Sequence, residues 1–208
     1  MPLPNRVDPF GELRADAARG LFFGNRGGRF HRADRTLGRR RWVSRTWICC
    51  RLAFKGRHRQ VWGAGYTELF FLDEPTALAA GHRPCFECRR ADARAFAAAF
   101  AGRGEVPRAG EMDRVLHGER LDGRAKRRNA LPIDDLPDAA FVTLADAPGL
   151  AFALRGAALL QWTPGGYLAR RGRPRGIIVD VLTPPGILTA LANGYRPHWH
   201  PSAESLPS

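Results

Sequence analysis

Two cysteines separated by two residues, Cys85 and Cys88, follow directly on a helix-stop signal, and no other stretch constrains the chain as much. Residues 66–90 read as a strand over 68–72, a turn at Asp73-Glu74-Pro75 and a short alanine-rich helix over 76–80. Gly81 then ends the helix in the left-handed conformation that a side chain resists. Arg83-Pro84 carries the chain into Cys85-Phe86-Glu87-Cys88. Cysteines at this spacing grip one metal ion, because the intervening pair lets both thiolates turn inward. The other two cysteines, Cys49 and Cys50, are adjacent. Neighbouring strand residues face opposite sides, so both rarely serve one ion.

This run resembles the zinc-binding domain of Ada-type DNA-repair proteins. That family carries a strand, a short helix ending in Ala-Ala-Gly, an aromatic residue, Arg-Pro and Cys-x-x-Cys. Here the corresponding residues are Ala79-Ala80-Gly81-His82-Arg83-Pro84-Cys85-Phe86-Glu87-Cys88. Trp47-Ile48-Cys49-Cys50-Arg51 looks like the family's first cysteine segment, with Cys50 at the matching place. The resemblance implies zinc as the cofactor, Cys50, Cys85 and Cys88 as its ligands, and DNA as the partner. In the family the first cysteine accepts a methyl group from a DNA phosphotriester, a role that would fall to Cys50. The family's second cysteine, four residues after the first, is replaced by Phe54. The fourth ligand is then His31, His58, His82, His198, His200 or a solvent molecule. Three thiolates and one histidine carry less negative charge than four thiolates. The expectation is therefore a structural metal and a Cys50 that does not accept methyl groups.

Composition narrows the class. Hydrophobic residues make up 44% of the 208, enough for a packed core, and no apolar run is long enough to span a membrane. With no charged-then-apolar leader at the N-terminus, the expectation is a soluble cytoplasmic protein. Four cysteines in this pattern suit a metal site in a reducing compartment better than a disulfide framework. The net charge is +13 and the pI near 11.1, almost all from arginine, with lysine only at positions 55 and 126. A surface this basic attracts polyanions, which points to nucleic acid and, with a zinc-type motif, to DNA. The densest run holds Arg39, Arg40, Arg41 and Arg45 beside Trp42 and Trp47. Arginines there can contact phosphates while an aromatic ring stacks on a base. The alternative is a strand with tryptophans in the core and arginines in water.

Read in order, residues 1–20 look loosely ordered and 21–25 form a strand. Gly27-Gly28 reads as a hairpin turn, without the Lys-Ser/Thr ending of a P-loop. A strand is expected over 41–52, with 57–62 pairing back on it through Lys55-Gly56. An amphipathic helix over 90–101 places Phe96 and Phe100 on one face. Residues 111–128 read as polar and mostly helical. Strands follow at 140–144, 150–154 and 157–162, then a basic loop over 170–175 and a buried strand over 176–182. Residues 189–198 repeat 76–85 at seven of ten positions, with His198 where Cys85 stands. A reused helix-stop idiom explains this better than duplication does, since one short repeat is weak evidence.

The expected fold class is α+β. It comprises a basic arm (1–36), an Ada-like zinc-stapled β-rich region (37–104), a polar helical connection (105–139) and a smaller C-terminal αβ region (140–208). The expected function is zinc-dependent nucleic-acid binding linked to DNA repair. Three alternatives stand beside it. His117 can act as general base with Asp113 one turn earlier, in a metal-dependent nuclease. Cys50 can act as an alkyl acceptor. The zinc can serve only to staple a protein-interaction module. Pro84-Cys85-x-x-Cys88 also fits half of a zinc-deaminase signature, but no upstream ligand is followed by the required glutamate.

Overall fold

The computed structural model describes residues 1–57 and 60–205. The N-terminal half builds one six-stranded sheet. Its strands are β1 (Pro4–Val7), β2 (Leu13–Ala15), β3 (Phe22–Asn25), β4 (Ile48–Arg51), β5 (Leu69–Phe71) and β6 (Arg83–Pro84), in the order β2-β1-β5-β3-β4-β6. Residues 1–20, expected to be loose, instead supply the edge hairpin of this sheet. Val7 drives it, because its side chain is buried in the same cluster as Phe22, Leu69 and Phe71. Pro4 opens β1, and the first position of a strand tolerates its missing N–H. Arg6 pins the hairpin by donating to the Ala18 carbonyl at 2.6 Å.

The glycine-rich turn does not close a hairpin. The chain leaves β3 at Asn25 and returns as β4 only at Ile48, so the strand expected over 41–52 is confined to its last residues. Val43 and Ser44 double back to donate to the Arg26 carbonyl. Gly27 sits under them with φ +82°, and a Cβ there would meet Ser44 Oγ at 1.7 Å. That close approach explains why the position holds glycine. Residues 60–62 do not pair with β4, whose neighbours are β3 and β6. Trp62 is instead buried in the left-handed region and stacks on His31, with ring centroids 5.1 Å apart.

Helix α1 (Glu74–Ala79) begins two residues earlier than expected, taking in Glu74 and Pro75 of the expected turn. Asp73 caps it by accepting from the Thr76 N–H at 3.0 Å, and Pro75 occupies the first turn, where no donor is needed. Helix α2 (Arg90–Ala101) matches its expected span and buries Phe96 completely. Helix α3 (Ala109–Arg120) is shorter than expected. The chain then forms a small hairpin, β7 (Leu121–Asp122) with β8 (Ala125–Lys126), because Asp122-Gly123 favours a tight turn, with Gly123 at φ +59°.

The second sheet contains β9 (Asn129–Pro132), β10 (Phe141–Leu144), β11 (Ala147–Arg155), β12 (Ala158–Thr163), β13 (Gly166–Gly172) and β14 (Ile178–Val181). Its order is β13-β12-β11-β10-β14-β9. Arg170 and Arg171, expected in a loop, pair with Leu160 and Leu159 on the edge strand, where their heads stay in water. β14 alternates, with Val179 and Val181 buried and Ile178 exposed, rather than being buried throughout. Helix α4 (Pro185–Ala192) closes the fold.

The repeated segment recurs in three dimensions. Gly81 and Gly194 take φ of +84° and +95°. The next N–H reaches back over the same span in both, His82 to Ala77 and Tyr195 to Ala190. The second copy also meets Glu74, just before the first. The Tyr195 hydroxyl donates to Glu74 Oε1 at 2.6 Å, and the His198 N–H donates to Oε2 at 3.0 Å.

Helices and strands are segregated, so the fold is α+β. One core cluster joins Leu72 and Ala79 to Phe141, Leu160, Tyr167 and Leu182 of the second sheet. Another packs α1, α2, α3 and α4 around Phe96, Met112 and Ile187. Each large side chain buried there stabilises the fold by about 1.5–3 kcal/mol. No helix among the described residues is long and apolar enough to cross a membrane.

Candidate metal centre and basic surface

β4 and the loop after β6 converge at three sulfurs. Cys50 pairs across the sheet with Phe23. The parallel register of β4 with β6 brings Cys85 alongside, and the Cys85 N–H donates to the Cys49 carbonyl at 3.0 Å. The ligand atoms of Cys50, Cys85 and Cys88 all lie within 4.8 Å of one another, and all three residues are buried. Sulfurs on one tetrahedral ion, with thiolate bonds of about 2.3 Å, need roughly this closeness. The donor set is soft, which suits zinc and other thiophilic ions. Cys85 is held low by hydrogen bonds from Cys50 and Cys88, and the Glu87 N–H adds a further one at 3.4 Å. Cys50 is pushed up in return, chiefly by its bonds to Cys85 and Cys88. The trio thus concentrates thiolate character at one point, which is the form a metal requires.

Cys49 lies on the other face of β4, as strand alternation demands. It is fully buried with Val7, Phe22 and Phe71, and its sulfur accepts from Arg89 Nη1 at 3.5 Å. Burial pushes its thiol up. Phe54, which stands where the resembled family has a cysteine, packs with Ile48, Tyr66 and Phe70 against the buried cluster of Phe23 and the three cysteines. Among the described residues no histidine joins them. His31 bonds Thr67 and Gly63. His82 accepts from Arg26. His198 faces Asp92, and His200 bonds Ser202. His58 lies outside the described residues.

The basic run is irregular rather than a strand. Arg39, Arg40 and Arg45 are exposed, and Arg41 and Trp42 are half-buried. Arg40, Arg41, Trp42, Val43 and Arg124 line an open cleft of about 440 Å³. Trp47 is buried at 2% exposure, its indole N–H donating to the Ser44 carbonyl at 3.1 Å. The guanidinium carbons of Arg26 and Arg120 lie 4.0 and 3.9 Å from its ring. Of the two tryptophans expected beside the arginines, only Trp42 therefore reaches the surface.

Asp113 and His117 share α3 but not a common task. Both oxygens of Asp113 are taken by Arg83, at 2.8 and 2.9 Å, and Thr46 donates to one of them at 2.9 Å. His117 Nδ1 lies 2.9 Å from Arg120 Nη2 and so acts as acceptor. Burial, then Arg120 and Arg45, hold its pKa below the ordinary histidine value.

A group of cations beneath the basic run, Arg26, Arg120 and Lys126, carries no signal in the sequence pattern. Arginine in so basic a chain reads as surface, and only the rarity of lysine sets Lys126 apart. No family model, curated protein or solved structure matched the chain.

Proposed function

We propose that this chain is a zinc-stapled nucleic-acid-binding protein, with DNA the favoured partner. The observation that carries the reading is the buried trio of Cys50, Cys85 and Cys88. It ties β4 to the loop after β6, and so fixes the sheet from which the 26–47 excursion departs. Zinc would be held by these three sulfurs and would supply cross-linking rather than chemistry. Cys50 is only 5% exposed and Phe54 packs beside it, which supports a closed site. The exposed Arg39, Arg40 and Arg45, next to the Trp42 cleft, support phosphate contact with base stacking. The link to DNA repair rests on the Ada-type resemblance of residues 66–90 and Cys50.

The test is binding of fluorescent single- and double-stranded oligonucleotides across a salt series. The reading predicts affinity that falls steeply and log-linearly with salt. It also predicts loss of binding when chelation unfolds the sheet. Absence of binding at low salt would leave the zinc-stapled interaction module as the better reading.

A further inference from the structure

Beneath the Trp42 cleft lies a second, smaller cavity of about 30 Å³, and the two share Arg41, Trp42 and Arg124. That volume holds roughly two or three waters, the space of a small tetrahedral oxyanion. Five cations line the cavity, Arg26, Arg41, Arg120, Arg124 and Lys126, against the single carboxylate of Glu12. Arg26 and Arg120 are 2% and 1% exposed. Their hydrogen-bond partners are neutral. Arg26 donates to the Gly11 carbonyl at 2.8 Å and to His82 Nε2 at 3.3 Å. Arg120 donates to the carbonyls of Gly81 and Arg45 at 2.8 and 2.6 Å, and Lys126 donates to that of Ala79 at 2.5 Å. Among the described residues no ion pair reaches any of the three, and Arg120 Nε has no hydrogen-bond partner. Buried cations are costly unless an anion faces them. Burial lowers Arg26 and Arg120 to about 9 and Lys126 to about 7, with Glu12 and Asp8 opposing it at Arg26 and neighbouring guanidiniums adding to it at Arg120 and Lys126.

We propose that this cavity is a binding site for a phosphomonoester dianion, which enters past Trp42 with its organic part in the outer cleft. Two guanidiniums and an ammonium match a doubly charged tetrahedral group better than a carboxylate. Trp42, lining both spaces, offers a stacking surface to a base attached to that phosphate. The proposal deepens the nucleic-acid reading, on which only the source of the phosphate rests: a strand end or a free ester.

The test is calorimetric titration of the full chain with inorganic phosphate, a nucleoside monophosphate, and oligonucleotides of one sequence bearing a 5′-phosphate, a 3′-phosphate or hydroxyl ends. The expected result is saturable phosphate binding and about tenfold or greater preference for a phosphorylated over a hydroxyl end. Lys126→Met, which removes a crowded cation and so spares the fold, abolishes that preference. Arg124→Ala weakens it. Phosphate binding without any oligonucleotide binding assigns the site to free phosphate esters and sinks the nucleic-acid reading alone. Oligonucleotide binding indifferent to the end group, with no uptake of phosphate, overturns the proposal and leaves the nucleic-acid reading standing.

Discussion

Cys49 and Cys50 are neighbours in sequence and face opposite sides of one strand: Cys50 joins the sulfurs of Cys85 and Cys88, while Cys49 accepts a hydrogen bond from Arg89. The pair therefore separates the proposed metal ligand from a packing residue. Cys50→Ser should lower bound zinc and the unfolding temperature together. Cys49→Ala should leave zinc content intact and cost about 1–2 kcal/mol from the small cavity alone. Metal analysis beside thermal unfolding of the two variants checks this, and equal metal loss in both would argue against the face assignment.

Under the proposed function, the exposed arginines would make the nucleic-acid contact. Reversing Arg39, Arg40 and Arg45 to glutamate should weaken binding of either strand form. It should also flatten the salt dependence by roughly one unit of slope for each phosphate no longer neutralised. Stability should change little, because all three are exposed. Trp47→Ala should behave differently. It removes a buried ring packed against Arg26 and Arg120, so it should destabilise by about 3–5 kcal/mol whatever its effect on binding. Oligonucleotide titrations paired with denaturant melts distinguish the two.

Lys126 gives a pH signature. Burial first, and then Arg120 and Arg26, lower its pKa from 10.5 to about 7, with Asp8 opposing. Between those values the unfolded chain holds the proton and the folded chain does not. Its contribution to stability therefore rises as pH climbs from about 7, by at most about 1.4 kcal/mol per pH unit and less where solvent screens the ammonium. Melts at pH 7 and 8.5 should show this rise in the native chain and a smaller one in Lys126→Met. Saturating phosphate should shrink it likewise, since a bound anion keeps the ammonium charged.

Much of the fold was legible because local chemistry dictated it. Gly81 stops α1, and Phe96 and Phe100 mark the buried side of α2, whereas Asp73 and Pro75, expected in a turn, cap and begin α1. The metal trio followed from Cys-x-x-Cys spacing together with the resemblance that singled out Cys50. Legibility failed where long-range contacts override local pattern. Val7 drew a proline-rich N-terminus into the sheet, and the close approach of Gly27 to Ser44 turned an expected hairpin into a long excursion. The buried Arg26 and Arg120 were illegible for another reason. Their partners are backbone carbonyls, and no pattern of side chains announces those.

Cys50 is only 5% exposed, with Phe54 packed against its cluster, and so it should not act as an alkyl acceptor. Incubating the zinc-loaded chain with methylated phosphotriester DNA and weighing it by mass spectrometry should show no added methyl. A methyl on Cys50, gained faster than by a free thiol, would make transfer chemistry the function of the site.

The central claim is that Cys50, Cys85 and Cys88 hold one zinc that staples the fold, and native mass spectrometry with elemental analysis tests it most directly. The account predicts one zinc per chain. It predicts loss of that zinc in Cys85→Ser and Cys88→Ser, and a large drop in unfolding temperature on chelation. A chain purified without metal, whose unfolding is unchanged by chelator, would contradict it.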